Sequence, residues 1–342
     1  MRHALLAAAL LLTACGSAVQ SAAPDDGGPL TIRLGYFPNL THAPALVGIS
    51  KGFFADALGA GVTLEPHTFN AGPDAVTAIL SDSIDVSFAG PNPTTNAFAQ
   101  SHGEAIRVIA GATSGGALLV VRPEIDSVAR LKRTRIADPQ LGGTQDVALR
   151  WFLKNNGFRV DAAGGGDVSV LPQDNAQTLT AFRQRQIDGA WVPEPWASRL
   201  IVEGGGKVLV DERDLWPHAQ FVTADLIART DFLRAHPKQI RALLEGLFRA
   251  VTYLNTDVAD AQQVSNDAVT HITGKTLGAR VVAAAWQHMT FTLDPLATTL
   301  KASADHARAE GLLGPVDLER LYDLTPLNQV LAEHGRPEVA GL

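Results

Sequence analysis

The sequence predicts an α/β protein built from two similar lobes, and three observations point there. Strands alternate with helices of 8–12 residues over most of the chain, which is the pattern of a sheet with parallel strands and helices on both faces. Part of the pattern recurs at an offset of 103 residues: Thr77-Ala78 with Ile84-Asp85 returns as Thr180-Ala181 with Ile187-Asp188. A proline-bearing loop follows each copy, Gly90–Pro93 and Val192–Pro195. Finally, the chain changes unit near residues 117–121 and again near 221–228, which returns its last third to the first lobe. The expected division is therefore residues 30–117 and 222–342 for the first lobe and 118–221 for the second.

The 342 residues are 46% hydrophobic and 18% charged, enough apolar material for real cores and too little charge for a disordered chain. A net charge of −7 with no basic run argues against a nucleic-acid partner. One cysteine excludes an internal disulfide or a paired-cysteine metal site, and the ten histidines lie scattered, so no metal or other cofactor is expected.

In chain order, Arg2 and His3 precede an uncharged apolar run from Ala4 to Leu12, the layout of an export signal too short to span a bilayer. Leu12-Thr-Ala-Cys15-Gly-Ser17 resembles a bacterial lipobox. The expectation is a signal at 1–14, lipidation at Cys15, and a small-residue tether over 15–29 holding the protein to the outer face of the membrane. Alternation predicts a strand over Leu30–Tyr36, then a helix with Pro44 in its first turn. Further strands are expected at Thr63–Phe69, Ile84–Phe88 and Ile106–Ala110, with helices at Asp74–Leu80 and Thr94–Ser101. The second stretch, from about Leu118 to Phe221, has the same character; from Asp231 onward the pattern is mostly helical.

Open α/β sheets bind ligands at the carboxyl ends of their strands. Six loops are candidates: Asn39–His42, Ala71–Pro73, Gly90–Pro93, Thr113–Gly116, Gly142–Gln145 and Pro193–Trp196. They offer glycine, hydroxyl and amide groups at helix starts, where backbone N–H groups favour an anion. None contains Lys or Arg, so a singly charged or neutral small ligand suits them better than a phosphate dianion. Catalytic motifs fail on context. Gly48-Ile-Ser-Lys-Gly52 has nucleophile-elbow letters at a helix end, and Gly274-Lys-Thr276 lacks the upstream glycine of a phosphate loop. Asp85 and Asp188, at the helix-to-strand junctions of the repeated unit, read as structural.

These loops carry a family resemblance. Leu34-Gly-Tyr-Phe-Pro-Asn-Leu-Thr-His-Ala-Pro44, Lys51-Gly-Phe-Phe54, Phe69–Pro73, Gly90–Pro93, Gly142–Asp146, Gln186–Trp191 and Pro193–Trp196 resemble the nitrate/sulfonate/bicarbonate branch of ABC-transporter solute-binding proteins. Aliphatic-sulfonate and taurine-type lipoproteins are the nearest in pattern. The resemblance implies a type II periplasmic-binding-protein fold, two α/β lobes on a two-strand hinge, closing on a ligand and delivering it to a permease and its ATPase. It implies a monomer that is not an enzyme.

On that reading an organosulfonate-like anion sits between the lobes. Asn39, Thr41, Gly90, Asn92, Thr113, Ser114, Gly143, Thr144 and Gln145 line its oxyanion; Glu194 and Trp196 meet the organic part. His42 either adds a donor or caps a helix facing solvent. Nitrate, bicarbonate or a thiamine-precursor pyrimidine are the alternative ligands, and an enzyme on the same fold is the rival from another class.

Overall fold

The structure, a computed structural model, describes residues 29–342; Cys15 and the leader lie outside the described residues. Along the chain run β1 (Leu30–Tyr36), α1 (Ala43–Ser50), α2 (Phe53–Leu58), β2 (Val62–Thr68), α3 (Gly72–Leu80), β3 (Val86–Ala89), α4 (Pro91–Gln100) and β4 (Ile106–Gly115). The middle stretch holds β5 (Ala117–Val121), β6 (Arg135–Asp138), α5 (Thr144–Asn155), β7 (Ser169–Pro172), α6 (Asn175–Arg183), β8 (Gly189–Pro193), α7 (Trp196–Val202) and β9 (Lys207–Asp211). The remainder is β10 (Val222–Arg229), α8 (Thr230–Ala235), α9 (Pro237–Thr256), α10 (Val258–Thr273), α11 (Ala279–Trp286), β11 (Met289–Phe291), α12 (Ala297–Ala309) and α13 (Thr325–Glu333).

Two sheets result. One has the order β11-β4-β10-β3-β1-β2, the other β7-β6-β8-β5-β9. In each, three strands are mutually parallel and a fourth runs against them: β2-β1-β3 beside β10, and β7-β6-β8 beside β5. Both faces of each sheet are apolar and covered by helices, giving four hydrophobic clusters. That is what βαβ crossovers on both faces of a parallel sheet require.

The repeat seen in the sequence has a physical counterpart. The Asp85 carboxylate accepts from the Arg33 backbone N–H (2.9 Å) and clamps the Arg33 side chain, so it ties the turn before β3 to β1. Asp188 does the same between the turn before β8 and β6, accepting from Arg135 N–H at 2.8 Å. Both aspartates are structural, one in each sheet.

Two segments differ from the sequence expectation. β4 runs to Gly115, well past Ala110, and takes in most of the expected Thr113–Gly116 loop, because this stretch is wholly buried between β10 and β11. Its small residues are required there: a Cβ on Gly111 would stand 2.1 Å from the Asp294 carbonyl oxygen. β11, only three residues long, carries too little alternation to be read as a strand. The chain leaves the first sheet through Gly115 and Gly116, whose φ values of 76° and 79° are the left-handed conformation that glycine tolerates, and returns through residues 212–221.

Candidate functional site

A narrow cleft, enclosing only about 40 Å³ of space for water-sized groups and partly open to solvent, lies where the two sheets face each other. Its walls are the segments leaving the carboxyl ends of six parallel strands. From the first sheet come Phe37, Asn39, Thr41 and His42 after β1, Asn70–Gly72 after β2, and Gly90 with Pro93 after β3; Thr223 of β10 completes that wall. Facing them are Pro139, Gln140 and Gly143–Gln145 after β6, Asn175 after β7, and Pro193 at the end of β8. Four helices, α3, α4, α5 and α6, begin at the cleft. First-turn N–H groups without intrahelical partners make the described lining electropositive, mainly from α5 and α6, since Pro73, Pro91 and Pro93 remove N–H groups from α3 and α4.

The lobes are closed around this space. Asn39 Oδ1 accepts from Trp196 Nε1 at 2.9 Å, and Gln140 Nε2 donates to Asp74 Oδ1 at 3.2 Å. A Cβ on Gly90 would meet Thr144 Oγ1 at 2.3 Å, so the two walls touch there. Away from the cleft mouth, Trp151 of α5 stacks on His306 of α12 at 3.8 Å, and Lys154 Nζ donates to the Ala309 carbonyl at 2.7 Å.

Among the described residues, His42 is the one titratable side chain in the lining. It is buried, not a solvent-facing cap, and stacks near Phe37 at 4.2 Å. Its Nδ1 accepts from the Phe37 N–H (3.3 Å), which assigns the proton to Nε2. Burial drives its pKa down to about 3, so it is a neutral donor and not a cation at physiological pH.

The structure brings together Asn39, Thr41, His42, Gly90, Gly143, Thr144 and Gln145 in the cleft. The other five residues singled out from sequence sit elsewhere. Asn92 is fully buried and engages α12, donating to the Ser303 carbonyl (3.1 Å) and accepting from Ser303 Oγ (2.8 Å). Thr113 Oγ1 donates to the Thr41 carbonyl at 2.7 Å, bracing the β1 loop from behind. Ser114 Oγ accepts from Phe221 N–H in the hinge. Glu194 gives both carboxylate oxygens to Ser198, at 3.0 Å from its N–H and 2.9 Å from its hydroxyl, and burial raises its pKa to about 7. Trp196 reaches the site only through its bond to Asn39, with Arg199 over its ring at 4.7 Å.

Sequence reading missed Gln140 and Asn175. Asn175 follows β7 as Asn70 follows β2, so the strand-end rule applied to the second copy of the repeat would have reached it. Its Oδ1 is buried with no partner among the described residues, as is Gln140 Oε1. Burial without a partner costs roughly 1–3 kcal/mol, which favours a bound group that donates.

Two lobes on a double crossing, closed around a cleft at strand carboxyl ends, are the fold of the periplasmic solute-binding proteins. The alkanesulfonate-binding protein SsuA of Xanthomonas axonopodis, solved with bound MOPS, superposes with a TM-score of 0.69 at 20% identity, covering 87% of this chain and 98% of that one. The chain belongs to the NMT1-like family, whose model matches residues 25–268. A Bacillus subtilis protein assigned to aliphatic sulfonates binding is 24% identical over 354 residues, 96% of each chain. The taurine-binding periplasmic protein of Escherichia coli is 27% identical over 207 residues, 60% of this chain and 62% of that one.

Proposed function

We propose that the protein is the substrate-binding component of an ABC importer, lipid-anchored through Cys15 outside the cytoplasm, that captures a small organosulfonate-like monoanion and passes it to a permease driven by its ATPase. It acts as a receptor and not as an enzyme, the ligand leaving chemically unchanged. The observation that carries this reading is the cleft: four helix N-termini converge on a space with no formal charge in its lining. Each helix start favours an anion by about 0.3–1 kcal/mol, so together they suit one negative charge and are poorly matched to two. Asn39, Thr41, His42, Gly143, Thr144 and Gln145 are positioned to donate to the ligand, and Asn175 Oδ1 to accept from it. Thr113 and Trp196 hold Thr41 and Asn39 in place, while Asn92, Ser114 and Glu194 brace α12, the hinge and α7.

Closure is the signalling step. A ligand that touches both walls stabilises the closed state by its differential affinity, and the closed outline is what a permease would recognise.

The test is a thermal-shift panel of short alkylsulfonates, nitrate, bicarbonate and an aminopyrimidine. A ligand at a thousand times its Kd stabilises the fold by about 4 kcal/mol, several degrees of melting shift. Sulfonates are expected to give that shift. A shift with another member and none with sulfonates would replace the ligand. Silence throughout would remove the receptor reading.

A further inference from the structure

We infer that the cleft selects a compact monoanion whose organic part is uncharged, and that it rejects zwitterionic aminosulfonates such as taurine, the ligand named for one relative. This rests on the receptor reading above and narrows its substrate class.

The described lining contains no Asp or Glu; of the four carboxylates directly adjacent to it in the chain, Asp138, Asp146 and Glu194 are buried, and Asp174, which precedes Asn175, is exposed. Glu194, directly after the lining residue Pro193, is wholly buried and holds Ser198 through both oxygens. Asp146, directly after Gln145, is buried, accepts from Gly142 N–H (2.8 Å) and pairs with Arg150 Nε at 2.6 Å. Asp138, directly before Pro139, is fully buried beside Asp146, neither of its oxygens has a hydrogen-bond partner among the described residues, and burial together with the Asp146 charge pushes its pKa well above the ordinary range. Asp74 lies exposed at the mouth, on Gln140 Nε2.

An ammonium drawn into the closed cleft would therefore shed its water with no counter-charge in the described lining to replace it, and the electropositive helix starts would oppose it. Asn175 Oδ1, buried and unpartnered, asks for a neutral donor such as a hydroxyl. 2-Hydroxyethanesulfonate and taurine differ only in that terminal group, so they form a matched pair of probes.

Isothermal titration of the purified protein with ethanesulfonate, 2-hydroxyethanesulfonate, taurine, nitrate and bicarbonate tests this. Taurine is expected to bind at least tenfold more weakly than 2-hydroxyethanesulfonate; a ratio below tenfold overturns the inference. Asn175→Asp places a carboxylate in the cleft in the first turn of α6, where the helix dipole favours a negative charge. It is expected to narrow the ratio at least fivefold by strengthening taurine, and an unchanged ratio counts against the charge argument. Binding of nitrate or bicarbonate with no sulfonate response would keep the inference and remove the sulfonate reading. No binding by any member would remove both.

Discussion

Replacing Gly90 by alanine separates closure from folding. Gly90 precedes α4 on one wall, and its added Cβ would stand 2.3 Å from Thr144 Oγ1 on the other, 3.4 Å from Thr144 Cβ and 3.3 Å from the Thr223 carbonyl. Relief requires Thr144 to leave its rotamer or the walls to part by about 1 Å. Overpacking of this kind costs about 1–3 kcal/mol. Only the closed state bears most of it, because Thr144 belongs to the opposite lobe. Ligand affinity should accordingly fall roughly 5- to 150-fold, at 1.4 kcal/mol per tenfold, with little change in the melting temperature of the unliganded protein. The assay is titration calorimetry on wild type, Gly90→Ala, Thr144→Ala and the double variant. Thr144→Ala removes the 2.3 Å clash and leaves a 3.4 Å contact, so adding Gly90→Ala to it should weaken binding no more than about threefold. If Gly90→Ala binds like wild type, or costs as much in the Thr144→Ala background, the reasoning about a closure contact is wrong.

Trp196→Phe and Asn39→Ala remove the same 2.9 Å bond across the cleft mouth; a double-mutant cycle on ligand affinity should give a coupling of about 0.5–1.5 kcal/mol. Asn92→Ala should lower stability by about 1–3 kcal/mol through the unpartnered Ser303 groups, read by chemical denaturation, with ligand affinity nearly unchanged. Glu194, raised to about 7 in the fold against about 4.5 unfolded, contributes stability below pH 4.5 that is lost as pH rises through 7. Wild type minus Glu194→Gln melting temperature should therefore fall between pH 5 and 8, and a difference that stays flat or rises would contradict a buried protonated carboxyl.

Much of the architecture was legible because it rests on local signals. Apolar alternation marked β1, Pro44 stood in the first turn of a helix, and the pair Asp85 and Asp188 marked the repeat that the two Arg–Asp clamps make physical. Cleft-facing loops were legible to the extent that they follow strands: Asn39–His42, Gly90 and Gly143–Gln145 are where strand-end reasoning puts them. Residues inside those loops were not distinguishable by type. Asn92 and Asn175 are both amides at helix starts, yet one is spent on Ser303 and the other faces the cleft. Glu194 offers the same carboxylate in sequence whether it meets a ligand or, as here, Ser198 four residues on.

The sequence by itself determined the α/β class, the doubling of the unit and the absence of basic charge from the candidate loops, since periodicity and composition are properties of short segments. Only the tertiary structure decided which side chains face the ligand space. That depends on partners 72 residues away for Thr113, 157 for Asn39 and 211 for Asn92, and on how far two lobes close before Gly90 meets Thr144. Hydrogen-bond partners so distant leave no local trace, because each polar group is satisfied by whatever the fold brings next to it.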